Sequence, residues 1–261
     1  MRFGLLAAAC AASVLAAGCG SGDDPQPPAR SIDVWVDSEL GGVLRGARID
    51  GTELKLTTGT TNGLLAELSR GEKKPDVLLV QAGTFPSWDE GADGLRDSRV
   101  VARDPLMLVT RKPEEAPVTL STTAGNPLAY PREGAAGEVT KAALAGLDAD
   151  ERPPKELEVQ TAADVLQALR DKTADVGVVP RSVLQRADDA ETFNSAEVIE
   201  PHIDVQTAYA DGRPDGQKLV LWLASAEGRR RFEQAGYAPP GPNARPADCP
   251  ADPAEPCTDR G

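Results

Sequence analysis

The chain has 261 residues, of which 28 are Lys or Arg and 41 are Asp or Glu, so its formal net charge is −13. This acidity excludes nucleic acid as a partner, because binding to a phosphate backbone requires clustered Lys and Arg. His202 is the single histidine, which excludes a histidine-rich metal site and leaves one residue for any His-dependent nucleophilic mechanism. The length is sufficient for one large or two small domains with a hydrophobic core.

The N-terminal residues 1–19, MRFGLLAAACAASVLAAGC, are typical of a bacterial lipoprotein signal. Arg2 precedes an apolar run that is shorter than the ~20 residues of a membrane-spanning helix. The last five residues, LAAGC, resemble a lipobox, which predicts removal of residues 1–18 and lipidation of Cys19. An ordinary signal peptide that happens to contain a cysteine is the alternative. The lipobox predicts an extracytoplasmic protein that is lipid-anchored to the bacterial cell membrane.

The other cysteines fit an extracytoplasmic location. Residues 19–31 are polar and rich in Gly, Ser, Pro and Asp, as expected of a flexible tether. Cys10 would be removed with the signal peptide, whereas Cys249 and Cys257 remain in the segment CPADPAEPC. We expect these two to form a disulfide, since disulfides persist outside the cytoplasm; two free thiols in a disordered tail are the alternative. The cysteine spacing lacks a CxxC motif, which argues against a zinc ribbon, and no metal site is expected.

The body of the chain alternates short apolar runs with helical patterns, which predicts a doubly wound α/β architecture. Runs such as DVLLV and DVGVV suit strands that are buried on both faces. The predicted strands are Ile32–Val36, Glu53–Thr57, Asp76–Val80, Leu106–Thr110, Asp175–Val179 and Val205–Tyr209. Two helices are predicted over Asn62–Arg70 and Glu138–Leu147, and a third follows the capping box Thr161-x-x-Asp164. Another helix begins with Leu219, Trp222 and Leu223, and Ser225–Ala235 either continues it or forms a separate helix. The proline-rich tail 238–261 is predicted to be irregular.

Four turns between strands and helices are candidate ligand-binding positions because they are rich in small or hydroxyl residues. They span residues 37–39, 59–62 and 134–137 and the turn at Thr161. In open α/β sheets, ligands bind at the carboxyl ends of strands, where helix N-termini present free N–H groups and partial positive charge. Thr61 is a candidate hydroxyl donor, although a simple helix N-cap is its commoner role.

In order and spacing, six segments resemble the extracytoplasmic substrate-binding proteins of ABC transporters, in particular the molybdate- and tungstate-binding branch. They are IDVWVDSEL, GTTNGLLAEL, PDVLLVQAG, GNPLAYPREGAAGEVTKAAL, ADVLQALRDKTADVGVVP and KLVLWLASAEGRRRFEQAGYAPP. The resemblance runs from Ile32 to Pro239, and the last segment, which is similar to the closing helix of that family, is its most specific part.

The resemblance implies a two-lobed type II periplasmic-binding-protein fold, with doubly wound sheets joined by two crossover strands. Lobe one would comprise residues 32–103 with 204–237, and lobe two residues 104–203. Such proteins close on a small solute and deliver it to an ABC permease in the membrane. The implied function is therefore that of a solute-binding receptor, monomeric, without a cofactor and without catalytic activity.

The family pocket for an oxyanion is uncharged and consists of hydroxyls, backbone amides and a tyrosine. Carried onto this sequence, the ligand-binding positions are Glu39 or Ser38, the hydroxyl of Thr61, and the backbone amides of Ala136 and Val165; the hydroxyl of Thr60, in the same turn as Thr61, is a further candidate donor. Glu39 falls where the family has a serine, so Ser38 supplies the hydroxyl if the register slips by one, and Pro180, which cannot donate a hydrogen bond, falls on the tyrosine. A carboxylate in a partly dry pocket repels an anion, so the resemblance identifies the scaffold and leaves the solute open.

Besides a solute receptor, two other classes of function are considered for this sequence: a module without solute binding, and an enzyme. A scaffold that has lost solute binding and acts as a sensor or interaction module agrees with the departures at Glu39 and Pro180. An enzyme is disfavoured, because the sequence contains no GxSxG, HExxH or Walker motif. His202 lies where the chain is expected to return between the lobes, so we predict a structural or hinge role for it.

Overall fold

The computed structural model describes residues 31–71, 73–82, 94–117 and 119–241, and these ranges contain one mixed nine-stranded sheet. The strands are β1 (Ser31–Asp37), β2 (Arg48–Ile49), β3 (Thr52–Gly59), β4 (Val77–Ala82), β5 (Leu95–Arg111), β6 (Leu128–Pro131), β7 (Glu156–Val159), β8 (Val176–Pro180) and β9 (Phe193–Ala210). Their order across the sheet is β2-β3-β1-β4-β9-β5-β8-β6-β7.

Two long antiparallel strands connect the two ends of this sheet. β5 and β9 have 17 and 18 residues and pair with each other over most of their length. Residues 204–209 of β9 also pair with β4, whereas residues 106–110 of β5 pair with β8. We call β1–β4 with their helices the first half and β6–β8 with their helices the second half.

Seven α-helices within the described ranges cover the sheet: α1 (Gly41–Leu44), α2 (Thr61–Arg70), α3 (Gly134–Ala145), α4 (Ala162–Arg170), α5 (Arg181–Gln185), α6 (Pro214–Ala224) and α7 (Ala226–Gln234). α1, α2, α6 and α7 belong to the first half and α3–α5 to the second. The sequence explains several helix ends: α2 ends at Gly71, whose φ of 72° suits glycine, and α4 begins with the predicted capping box of Thr161 and Asp164. No helix in the described part of the chain is long and apolar enough to cross a membrane.

Each half of the sheet has apolar clusters on both of its faces. Along β1, Val34 and Val36 pack with α6 and α7, whereas Trp35, which points to the other face, packs with Leu64 and Leu68 of α2. This alternation is the period of two that a strand covered on both faces requires. The predicted doubly wound α/β architecture is thereby confirmed.

The principal differences from the predicted elements are in strand length and number. The predicted strands Leu106–Thr110 and Val205–Tyr209 are only parts of β5 and β9. Charged residues interrupt the apolar pattern of the remaining parts, as at Arg103 and Asp104, so periodicity alone does not reveal them. The short strands β6 and β7 and helix α5 were not predicted. The predicted signal peptide, Cys19, Cys249 and Cys257 lie outside the described residues.

A candidate solute-binding cavity between the two halves

A cavity of about 470 Å³ lies where the N-termini of α2, α3 and α4 approach one another. β1, β3, β6 and β7 end at the same place, so the cavity has the position expected for a ligand of an open α/β sheet. Its lining includes Asp37, Ser38, Glu39, Thr60, Thr61, Asn62 and Gln81 from the first half, and residues 131–136, Glu138 and residues 160–162 from the second. Residues of both halves therefore face one another across it.

The structure brings five of the six predicted binding residues to this cavity: Ser38, Glu39, Thr60, Thr61 and Ala136. Val165 is the exception. Its side chain is buried in the core of the second half, and its N–H donates to the carbonyl of Thr161 over 3.3 Å. The expectation that the Val165 amide faces the ligand is thus corrected: Thr161 and Ala162, at the start of α4, line the cavity instead. Pro180, which precedes α5, does not line it either.

The hydroxyl of Thr61 is already hydrogen-bonded within the protein. It donates to Oδ2 of Asp37 over 2.7 Å and accepts from the backbone N–H of Gln81 over 3.2 Å. The N–H of Thr61 donates to the same Asp37 oxygen over 2.9 Å, and the N–H of Glu39 donates to Oδ1 over 2.9 Å. Asp37, which is 7% exposed, therefore accepts three hydrogen bonds at the end of β1. Thr60 is the N-cap of α2, and its hydroxyl accepts from the N–H of Gly63.

The side chain of Glu39 lies beside this group and lines the cavity. Its Oε2 accepts from the side-chain amide of Gln81 over 3.1 Å. Burial, together with the neighbouring charge of Asp37, raises the pKa of Glu39 above its usual value. The carbonyl of Glu39 accepts from Arg186, the residue after α5, and from the hydroxyl of Tyr237, each over 3.3 Å. The Arg186 bond joins the turn after β1 to the second half.

The second half contributes mainly backbone groups, at the N-terminus of α3. Glu133 precedes the helix, and its side chain caps none of the first N–H groups. Such N–H groups have no partner within a helix, so those of Ala135 and Ala136 are candidate donors to a ligand. Gly137 allows α3 to start close to β6: a Cβ there would lie 2.5 Å from the carbonyl oxygen of Pro131. At α4, by contrast, the Thr161 hydroxyl already bonds to Asp164.

The charged side chains around the cavity are predominantly acidic. Among the residues that the structure describes, Asp37, Glu39, Glu133 and Glu138 line it together with one basic residue, Arg132. The Arg132 guanidinium is exposed and lies 3.8 Å from Glu158, which does not line the cavity. Across the opening, the side-chain amide of Asn62 lies 3.5 Å from a carboxylate oxygen of Glu138, which joins the two halves.

Sequence reasoning missed the roles of Asp37, Asn62 and Gln81. Asp37 stood in one of the four candidate turns, but the resemblance directed attention to the two residues after it. Gln81, in the segment DVLLVQAG, is a polar residue at the end of a buried strand, which is a signal of a residue that faces a ligand or another turn. In the described ranges, no group of three or more His, Cys, Asp and Glu side chains is arranged to hold a metal ion.

Residues 47–238 match the sequence profile of a family described as bacterial extracellular solute-binding proteins. No curated protein sequence matches the chain. Among solved structures, the substrate-binding domain assigned to a molybdenum ABC transporter from Clostridium difficile superimposes with a TM-score of 0.64 and 16% identity, covering 81% of this chain and 99% of that chain.

Two domains of regulatory proteins are also similar. The sulfate-bound regulatory domain of an OxyR2 mutant from Vibrio vulnificus has a TM-score of 0.52 and 16% identity, covering 79% of this chain and 92% of that chain. The CcmR regulatory domain from Synechocystis PCC6803, in complex with 2-PG, has a TM-score of 0.54 and 12% identity, covering 74% and 95%. At these identities the likeness concerns the fold, which is of the type II periplasmic-binding kind.

Proposed function

The chain belongs to the bacterial extracellular solute-binding proteins, and from this premise we propose that it is the solute receptor of an ABC transporter. Membership implies a small-molecule ligand and a location outside the cytoplasm, and the family consists of binding proteins rather than enzymes. The proposal adds delivery of the solute to a membrane permease. The molybdenum transporter domain from Clostridium difficile, which has the same fold, supports this role.

The observation that carries the proposal is the cavity lined by helix N-termini from both halves. Within it, we propose that Ser38, Glu39, Thr60 and the Ala136 amide contact the solute. The Thr61 hydroxyl already donates one hydrogen bond to Asp37 and accepts one from the Gln81 N–H. We therefore propose that Thr61 shapes the cavity by fixing these two residues. A solute that touches both halves stabilises the closed arrangement, which a permease can recognise.

We propose two lobes, residues 32–103 with 204–237 and residues 104–203. The strand pairing supports this division, since β9 pairs with β4 from Asp204 onward and β5 pairs with β8 from Leu106 onward. β5 and β9 would then act as the hinge, and His202, which lies 3.4 Å from Asp204 on β9, would be one of its residues.

The attachment to the membrane is a further part of the proposal. The lipobox-like segment supports lipidation at Cys19, and residues 19–31 would then separate the domain from the bilayer. In the oxidising environment outside the cytoplasm, a bridge between Cys249 and Cys257 would close a small loop in the tail. The receptor would act as a monomer.

A thermal-shift screen of the purified chain against molybdate, sulfate, phosphate, amino acids, amines and sugars tests solute binding. A solute present at 100 times its Kd stabilises a protein by ~2.7 kcal/mol, which gives a clear rise in the unfolding midpoint. The proposal expects at least one solute that raises the midpoint saturably. No saturable stabilisation by any class would contradict the receptor function.

A sensor or interaction module that does not transport is the second candidate. Asp37 favours it, because its carboxylate uses donors that could otherwise bind a solute. The similarity in fold to regulatory domains is compatible with it. A permease that binds the solute-loaded chain more tightly than the empty chain would distinguish the receptor from this alternative.

A further inference from the structure

The position of the Asp37 carboxylate resembles that of a bound anion. It lies at the carboxyl end of β1, next to the N-terminus of α2, and accepts from two backbone N–H groups and one hydroxyl over 2.7–2.9 Å. These donor types, in a nearly water-free position at a helix N-terminus, are those that bind small anions in proteins. Asp37 is 7% exposed and nevertheless borders the cavity. An anion held by the same donors would have to displace it.

We propose that Asp37 is a built-in anion that occupies the first-half anion site and makes the cavity select against tetrahedral oxyanions. This inference rests on the proposed solute-binding function and specifies its ligand class. The donors of Thr61 and Glu39 are saturated by a covalently attached carboxylate, whose effective concentration a free ion does not match. An oxyanion beside it would meet the charge of Asp37 and find no free donor at Thr61.

The chemistry of the remaining first-half lining identifies the solute class. The Glu39 carboxylate faces the cavity and accepts hydrogen bonds. Its Oε2 already accepts one from the side-chain amide of Gln81. The group of the solute that faces β1 is therefore a hydrogen-bond donor, either neutral or cationic, such as an ammonium, amide or hydroxyl. An acidic part of the same solute would face the α3 amides of the second half.

Truncating the proposed internal anion tests the inference, since Asp37→Ala vacates the donors of Thr61 and Glu39. The probes are sodium molybdate and sodium sulfate, titrated at constant ionic strength while thermal unfolding and calorimetric binding are followed. We expect no saturable binding by the wild type. Asp37→Ala should have a lower unfolding midpoint in chloride than the wild type. Either oxyanion should raise this midpoint saturably, with an apparent Kd at least tenfold below the highest concentration at which the wild type shows no saturation.

Two control variants separate this effect from general stabilisation by salts such as sulfate. Asp104→Ala truncates another buried aspartate that accepts from a backbone N–H and a hydroxyl, those of Ser182, but it does not border the cavity. It should show only the non-saturable response of the wild type. Asp37→Asn keeps one oxygen, which can accept from the two donors of Thr61, and its amide group fills the rest of the position, so it should gain no oxyanion binding.

Two results would overturn the inference. One is saturable binding of molybdate or sulfate to the wild type with an affinity equal to that of Asp37→Ala. The other is a folded Asp37→Ala variant that responds to the oxyanions as Asp104→Ala does. If Asp37→Ala does not fold in chloride, refolding in molybdate but not in chloride supports the inference, and the absence of oxyanion-dependent refolding counts against it. The receptor function fails separately, when no class of solute stabilises the wild type.

Discussion

The side-chain amide of Asn62, at the start of α2, lies 3.5 Å from a carboxylate oxygen of Glu138 in α3, 76 residues away in the sequence. This contact joins the two halves at the opening of the cavity, whereas β5 and β9 join them through the sheet. Both residues are exposed, so the bond contributes less to folding than to the relative position of the halves.

Asn62→Ala should therefore widen the separation of the halves with little effect on stability. We expect longer and broader distances between spin labels at Arg70 and Asp148 in a background without native cysteines, and a loss of unfolding free energy below about 1 kcal/mol. Gln167→Ala is the matched control, because the Gln167 amide bonds to the carboxylate of Asp171, the residue after α4, and so makes no contact between the halves through this bond. Identical distance distributions for both variants would show that the Asn62 contact has no part in holding the cavity closed.

Thr61→Val should destabilise the protein more than Thr60→Val, although the two residues are adjacent. The Thr61 hydroxyl is buried and bonds to both Asp37 and the Gln81 N–H. Its removal takes one of three hydrogen bonds from the buried Asp37 carboxylate and deprives the Gln81 N–H of this acceptor, which should cost about 2 kcal/mol. Thr60 is an exposed N-cap, whose loss costs about 1 kcal/mol. Urea unfolding measures both variants. A larger loss for Thr60→Val would contradict the role assigned to Thr61.

Gly137→Ala tests the close approach of α3 to the end of β6. An added Cβ would lie 2.5 Å from the Pro131 carbonyl oxygen, so α3 must shift, at a cost of about 2 kcal/mol in unfolding free energy. In Gly42→Ala, by contrast, the Cβ meets no atom within 4 Å, and alanine is favoured in helices by up to about 1 kcal/mol. Chemical denaturation of both variants gives the comparison. Equal stability would mean that α3 is not constrained there.

The pH dependence of stability should reflect Asp104, which is fully buried on β5. Burial raises its pKa from 3.8 to about 6, although hydrogen bonds from Ser182 oppose that shift. At pH values between 3.8 and about 6, the Asp104 carboxyl is protonated in a larger fraction of folded molecules than of unfolded molecules. The contribution of Asp104 to stability is therefore greatest below pH 4 and is lost as the pH rises through 6.

Asp104→Asn should remove this part of the pH dependence, because the amide does not titrate. We expect the difference in unfolding free energy between variant and wild type to change by on the order of 3 kcal/mol from pH 4 to pH 7, in favour of the variant at pH 7. Urea unfolding at each pH measures the difference. A constant difference across this range would mean that Asp104 does not titrate there.

The sequence predicted the architecture well, because local patterns determine it. The buried run Ile32–Val36 and the helix Asn62–Arg70 correspond to β1 and α2, and the capping box at Thr161 forms as predicted. Helix ends and alternation depend on neighbouring residues, so they can be recognised without tertiary information.

The interior of the candidate site was harder to predict, since its hydrogen bonds join residues far apart in the sequence. Asp37 and Thr61 are separated by 24 residues, and Glu39 and Gln81 by 42. The resemblance implies that the Thr61 hydroxyl faces a ligand, and in the structure this hydroxyl donates to Asp37 of the same chain. Val165 lies about one helical turn beyond Thr161 and Ala162, which line the cavity, so its N–H bonds within the helix to the Thr161 carbonyl.

The central claim, that a solute binds between the two halves, is tested most directly by calorimetric titration of a stabilising solute into two tryptophan variants. Ser38→Trp places an indole at an exposed position of the cavity lining, whereas Ser69→Trp places one on the exposed part of α2 outside it. We predict one site per chain in the wild type and in Ser69→Trp, and affinity at least 100-fold weaker in Ser38→Trp. Equal affinity in all three proteins would contradict the account.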